Sequence, residues 1–182
     1  NVGKSTLLNR IVGQKVSITS RKAQTTRHRV MGIHTTDEAQ FVFVDTPGFQ
    51  TRYTGTMNRA MNKRVRETLS DTDVVMMLVE AGRLKNEDRQ VMELLPKDRP
   101  LILVVNKIDQ VKDRAELMAY LQEVTAAHAF TEIVPVSAKQ GNNLEELLKT
   151  LQTHLPENAP LFAADDVTDQ TDEQEALQQR FG

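Results

Sequence analysis

Runs of five or six apolar residues alternate along this chain with segments whose apolar positions recur at helical spacing. That alternation is the signature of an α/β fold with a mainly parallel sheet flanked by helices. Residues 4–12 read as a first helix stopped by Gly13, and residues 14–27, polar and basic without a period, as a loop. Residues 28–34 and 40–45 read as strands joined by a turn around Asp37-Glu38, an antiparallel hairpin. Met57, Met61, Val65 and Leu69 recur every fourth residue and predict a helix whose methionine-rich stripe packs into the core. Residues 74–79 and 101–105 are near-continuous apolar runs, as expected of strands covered on both faces. Between them a short helix around Val91, Leu94 and Leu95 ends at Pro96. A helix over 114–127, a strand over 132–136 and a helix carrying Leu144, Leu147, Leu148, Leu151 and Leu155, stopped by Pro156, complete the body.

Composition narrows this picture. At 182 residues and 39% hydrophobic, the chain suffices for one ordinary core and an appended tail. No stretch approaches the ~20 apolar residues of a membrane span. Zero cysteines exclude disulfides and thiolate metal sites and fit a cytoplasmic protein. His28, His34, His128 and His154 are scattered without zinc-site spacing. The net charge of −2 is uneven: residues 156–182 hold seven acidic residues against Arg180, which leaves 18 acidic and 22 basic groups in residues 1–155. That body charge is too slight to imply nucleic-acid binding by itself. The tail is acidic, polar and linker-like. The domain division expected is a body over 1–155 and a tail over 156–182.

The chemistry lies at the ends of the apolar runs. Asn1-Val2-Gly3-Lys4-Ser5-Thr6 reads as the second half of a phosphate-binding P-loop, continuing into a helix. Backbone N–H groups at such a helix start wrap around phosphate oxygens, and Gly3 lets the main chain approach closely. Lys4 places an ammonium on the β- and γ-phosphates, and the Ser5 hydroxyl is a candidate Mg²⁺ ligand. Asp45-Thr46-Pro47-Gly48 follows the apolar run 41–44. An Asp there can hold Mg²⁺ through its water shell, and the Gly N–H can meet a γ-phosphate; alone, the same pattern is a common turn. Asn106-Lys107-Ile108-Asp109 ends another apolar run. Its carboxylate suits the N1–H and 2-amino group of guanine and would repel the acceptor edge of adenine. With each fixed residue at about 5% usage, Asn-Lys-x-Asp arises by chance in roughly two chains per hundred of this length. Ser137-Ala138-Lys139 follows a fourth strand, where a backbone N–H can meet the guanine carbonyl and the lysine can cover the base. All four motifs sit where open α/β sheets bind ligands.

In this order, the motifs make the chain resemble a Ras-like P-loop GTPase domain, with GTP and GDP as ligands. The segment Ala23-Gln24-Thr25-Thr26-Arg27-His28-Arg29 is similar to the switch I of the Era family, bacterial GTPases of small-subunit ribosome assembly. The relatives Der and MnmE show Gly-Thr-Thr-Arg-Asp there, so Gln24 and His28 favour Era. Residues 48–61 and Val167-Thr168-Asp169 support the match. The resemblance implies that Thr26 meets Mg²⁺ and the γ-phosphate, making Lys4, Thr26 and Gly48 the catalytic set. The position of the water-orienting glutamine of Ras holds Phe49, which can neither donate nor accept a hydrogen bond. Relatives with a hydrophobic residue there use K⁺ near the β–γ bridge. The motif-matched K⁺ ligand is Asn1, helped by carbonyls near residues 20–25.

The resemblance also implies a wider setting: a monomer acting on 16S rRNA and the 30S subunit, with peripheral association at the inner face of the bacterial membrane. The RNA-clamping KH domain of that family has no counterpart here, and the basic group Arg21, Lys22, Arg27, His28 and Arg29 is explained about as well by a solvated loop. By family topology the first, central strand of a six-stranded sheet would precede Asn1. Lacking it, the chain as written is expected to be unstable, since unpaired backbone groups cost about 1–3 kcal/mol each against total stabilities of about 5–15 kcal/mol. The competing readings are a GTPase of Der or MnmE type and a nucleotide-binding module without turnover.

Overall fold

The computed structural model describes residues 3–12, 28–44, 46 and 59–159. Their order is α1 (Lys4–Val12), β1 (Val30–Thr35), β2 (Gln40–Val44), α2 (Arg59–Ser70), β3 (Val75–Glu80), α3 (Asn86–Leu94), β4 (Leu101–Asn106), α4 (Arg114–Ala127), β5 (Glu132–Pro135) and α5 (Leu144–His154). The described residues fall into two compact units, one of 3–6, 46 and 59–156, the other of 7–12, 28–44 and 157–159. No helix among the described residues is long and apolar enough to cross a membrane. The expected stop at Gly13, the loop over 14–27, the start of the methionine stripe at Met57 and the tail beyond residue 159 lie outside the described residues.

In the smaller unit β1 and β2 form the expected antiparallel hairpin, with Thr35 opposite Gln40 and a register irregularity between Val30 and Gly32. The turn is closed locally: Thr36 donates its N–H to the Ala39 carbonyl at 2.8 Å, and its hydroxyl oxygen accepts from the Ala39 N–H at 3.1 Å. The first strand begins two residues later than its apolar pattern suggested, because pairing starts with Val30 opposite Val44. Gly32 sits against Val12: a Cβ there would come within 2.8 Å of a Val12 methyl. A side chain at this position would force the two segments apart.

The larger unit is built on a parallel sheet in the order β3-β4-β5. Its register runs Val75 opposite Leu101 through Glu80 opposite Asn106, then Ile102 opposite Glu132 through Val105 opposite Pro135. β4 is central and buried at all six positions. Val75, Met77, Val79, Leu101, Leu103 and Val105 meet Leu84, Met92, Leu95, Tyr120 and Val124 in one apolar cluster. Each fully buried aliphatic side chain in this cluster stabilises the unit by about 1.5–3 kcal/mol.

β3 departs from the reading of a strand covered on both faces. Val75, Met77 and Val79 are buried, while the alternate residues Met76, Leu78 and Glu80 are only half-buried. An apolar run alone cannot separate this case from a central strand; among the described residues β4 has a strand on either side, β3 on one. The helices follow their sequence signals closely. Asp113 caps α4 by accepting the Ala115 N–H at 2.9 Å, and at the start of α3 the Asp88 carboxylate accepts the Lys85 N–H at 3.0 Å. Pro96 and Pro156 lie just beyond α3 and α5 and keep either helix from continuing.

Candidate functional site

Two loops leave the carboxyl ends of β4 and β5 in the larger unit, and the start of α1 belongs to the same unit. The β4 loop begins with Asn106, 3% exposed. Burying an amide is costly unless it is hydrogen-bonded. Its Oδ1 accepts the Ala138 N–H from the β5 loop at 3.0 Å, and its main-chain carbonyl accepts the Ala81 N–H at 2.9 Å. Its Nδ2 occupies the place a Cβ on Gly3 would take. Gly3 also has φ +94°, a backbone region that side chains rarely adopt. No other residue fits at position 3, for two independent reasons. One buried asparagine thus meets the start of α1, the end of β3 and the loop after β5.

Lys4, Ser5 and Thr6 form the exposed first turn of α1. The first N–H groups of a helix lack intrahelical acceptors, so this turn presents donors to an anion. The exposed hydroxyl of Ser5 on this turn is an oxygen donor of the kind a hard cation such as Mg²⁺ takes. Thr46 is half-buried. Asn1, Val2, Thr26, Asp45, Pro47, Gly48 and Phe49 lie outside the described residues.

At the other end, Asp109 stands exposed in a 3-10 turn, Ile108–Gln110. Its Oδ1 accepts the Ser137 hydroxyl at 3.0 Å. A carboxylate has about four acceptor sites, and Ser137 uses one. Ser137 is fully buried and anchored at both backbone groups: its N–H bonds the Asn142 carbonyl at 3.2 Å and its carbonyl accepts the Asn142 N–H at 3.0 Å. Gly141 at φ +75° and Asn143 at φ +66° make the tight return possible, and the Asn143 amide bonds the Pro135 carbonyl at 2.7 Å. Lys139 lies exposed on this loop. The structure therefore joins Gly3, Asn106 and Ala138 through one side chain, and Asp109 and Ser137 through another.

Glu80 is a residue the sequence reading missed. It ends β3 opposite Asn106 and meets Lys107 Nζ at 3.2 Å and Lys85 Nζ at 3.7 Å. The hydrogen bond from Lys107 is the main reason its carboxyl is held below the usual glutamate range, against a smaller opposing effect of burial. The available signal was an acidic residue closing an apolar run, at the strand end where the other motifs also sit.

The family model described as the 50S ribosome-binding GTPase matches residues 1–107. With the parallel sheet and the ordered strand-end loops, it defines the class: a Ras-like P-loop GTPase domain. The chain is 56% identical over 172 residues to GTPase Era of Chromobacterium violaceum, an alignment covering 94% of this chain and 58% of that one. It is 40% identical, with a TM-score of 0.72, to the solved Era of Aquifex aeolicus bound to GDP and AlF4⁻, covering 93% of this chain and 58% of that one. The chain belongs to the Era family of GTPases. A second solved Era with the same identity, TM-score and coverage was captured with MgGDPNP and nucleotides 1506–1542 of 16S ribosomal RNA. The chain spans somewhat more than half the length of these relatives.

Proposed function

We propose that this chain is the guanine-nucleotide-binding and GTP-hydrolysing part of a molecular switch that acts in small-ribosomal-subunit assembly. The observation that carries the reading is Asn106. Its buried amide ties Gly3 of the phosphate motif to Ala138 of the base motif, so both ends of a nucleotide would meet one connected frame. Lys4 and the first-turn N–H groups of α1 bind the β- and γ-phosphates. Asp109, already fixed by Ser137, accepts the N1–H and 2-amino group of guanine, which adenine cannot supply. The Ala138 N–H is engaged by Asn106, and Lys139 covers the base.

Ser5, Thr26 and Asp45 would hold Mg²⁺, which when bound supplies positive charge against the β- and γ-phosphates. Phe49 offers no hydrogen bond to an attacking water, so K⁺ held by Asn1 is the proposed added charge near the β–γ bridge. Thr26 and Gly48 contact the γ-phosphate and lose that contact after hydrolysis, the usual basis of a GTPase switch. The 16S rRNA and the 30S subunit are the proposed partners of the whole protein, by kinship with the Era captured on that RNA.

Phosphate release from GTP by the full chain tests the reading. Expected is slow turnover that is faster in K⁺ than in Na⁺ and lost in Lys4→Ala. Equal rates in the two salts would remove the K⁺ role alone; turnover that survives Lys4→Ala would remove the assignment of the site.

A further inference from the structure

Lys107 stands between the asparagine that ties the site together and the aspartate that selects the base. Its backbone is left-handed, at φ +61° and ψ +34°. That region suits glycine and asparagine; a lysine there is uncommon and points to a functional constraint on its side chain. The ammonium does not run free. It lies 3.2 Å from Glu80 Oε1, with both side chains about a third exposed. The second oxygen of Glu80 faces Lys85 at 3.7 Å, so one carboxylate serves two ammonium groups and the trio stays net positive. Glu80 is itself placed by the strand register, opposite Asn106, whose carbonyl accepts the N–H of Ala81 next in the chain. The carboxylate therefore belongs to the rigid end of the sheet, while the lysine belongs to the loop.

We infer that Glu80 is a positioning residue for the nucleotide: it holds the Lys107 side chain in place, so that the guanine base meets an ordered lysine beside Asp109. A free lysine loses up to about 2 kcal/mol of rotamer entropy when a ligand fixes it, and a pre-ordered one loses less. Without the Glu80 charge, Lys107 and Lys85 repel each other and Lys107 moves toward solvent. This inference rests on the guanine-nucleotide reading and adds a residue that none of the four motifs contains.

The test is the release rate of a fluorescent GDP analogue from the full chain. Glu80→Gln keeps the shape and removes the charge; it should speed release about twofold to fivefold, the upper part of the range of a partly exposed ion pair. In a Lys107→Ala background the same change should alter release by less than about 1.5-fold, because the group Glu80 acts on is gone. A role in folding alone would speed release in both backgrounds and overturns the inference. So does an unchanged or slower release in Glu80→Gln, which would mean that the carboxylate only weakens the pull of Lys107 on the ligand. Wild-type protein that fails to bind GDP in preference to ADP overturns the guanine reading itself, and is seen before any variant is made.

Discussion

Tyr120 shows what a single residue can hide. It is 2% exposed on α4, and among the described residues its hydroxyl has no hydrogen-bond partner. Burial, helped by the charges of Asp88, Glu123 and Glu80, pushes the phenol pKa upward, so the group stays neutral at all working pH values. The ring earns its place in the core against β3 and β4. The hydroxyl does not, since a buried polar group without a partner costs about 1–3 kcal/mol. Tyr120→Phe should therefore raise the denaturant midpoint, with a gain of about 0.5–1.5 kcal/mol and an unchanged slope. A destabilised variant would show that the hydroxyl is satisfied after all. The sequence marked a helix over 114–127, but not the isolation of one oxygen, which depends on what packs against it. Gly3 and Asn106 were readable only as separate motif members. The clash that binds them links residues 103 positions apart, and no local pattern records that.

Elements were legible where the chain carries its own punctuation. The bounds Lys4–Val12 and Arg114–Ala127 coincide with the helices read from spacing, the second because Asp113 caps it locally. What spacing could not show is how α2 ends. Arg99, from the turn before β4, gathers carbonyls there: its guanidinium donates to Leu69 and Ser70 in the last turn of the helix and to Thr72 just beyond it. A cation at a helix C-terminus interacts favourably with the unpaired carbonyls and the helix dipole. Arg99 sits in the polar turn Asp98-Arg99-Pro100, which in sequence looks like an ordinary solvated loop. Its partners lie 27 to 30 residues upstream. Arg99→Ala should cost about 1–3 kcal/mol and speed amide exchange in the last turn of α2 before that in β4. Arg99→Lys should restore only part, because an ammonium cannot hold the Asp98 carboxylate through a planar fork, as Nε and Nη2 do, while a third nitrogen serves the carbonyls. Exchange in α2 that is unchanged in Arg99→Ala would refute the clamp.

For the whole molecule, the class was legible because four motifs fall in order at strand ends; Glu80 escaped notice because a charge closing an apolar run reads as a solvated tip. The connected frame built on Asn106 has a thermodynamic consequence. A nucleotide that binds the folded frame and not the unfolded chain adds stability by mass action, about 2.7 kcal/mol at a hundred times its Kd. For a chain of this size each kcal/mol moves the melting temperature by about 2–4 °C, so GDP with Mg²⁺ should raise it by roughly 5–11 °C. ADP at the same concentration should do much less, because the Asp109 carboxylate meets donors on guanine and acceptors on adenine. Measured against its own unliganded melting temperature, Lys4→Ala should lose most of the gain from GDP. An equal rise with ADP would take guanine selectivity away from Asp109, and a full rise in Lys4→Ala would take the phosphates away from α1. The two ends of the frame are thus tested separately in one melting experiment.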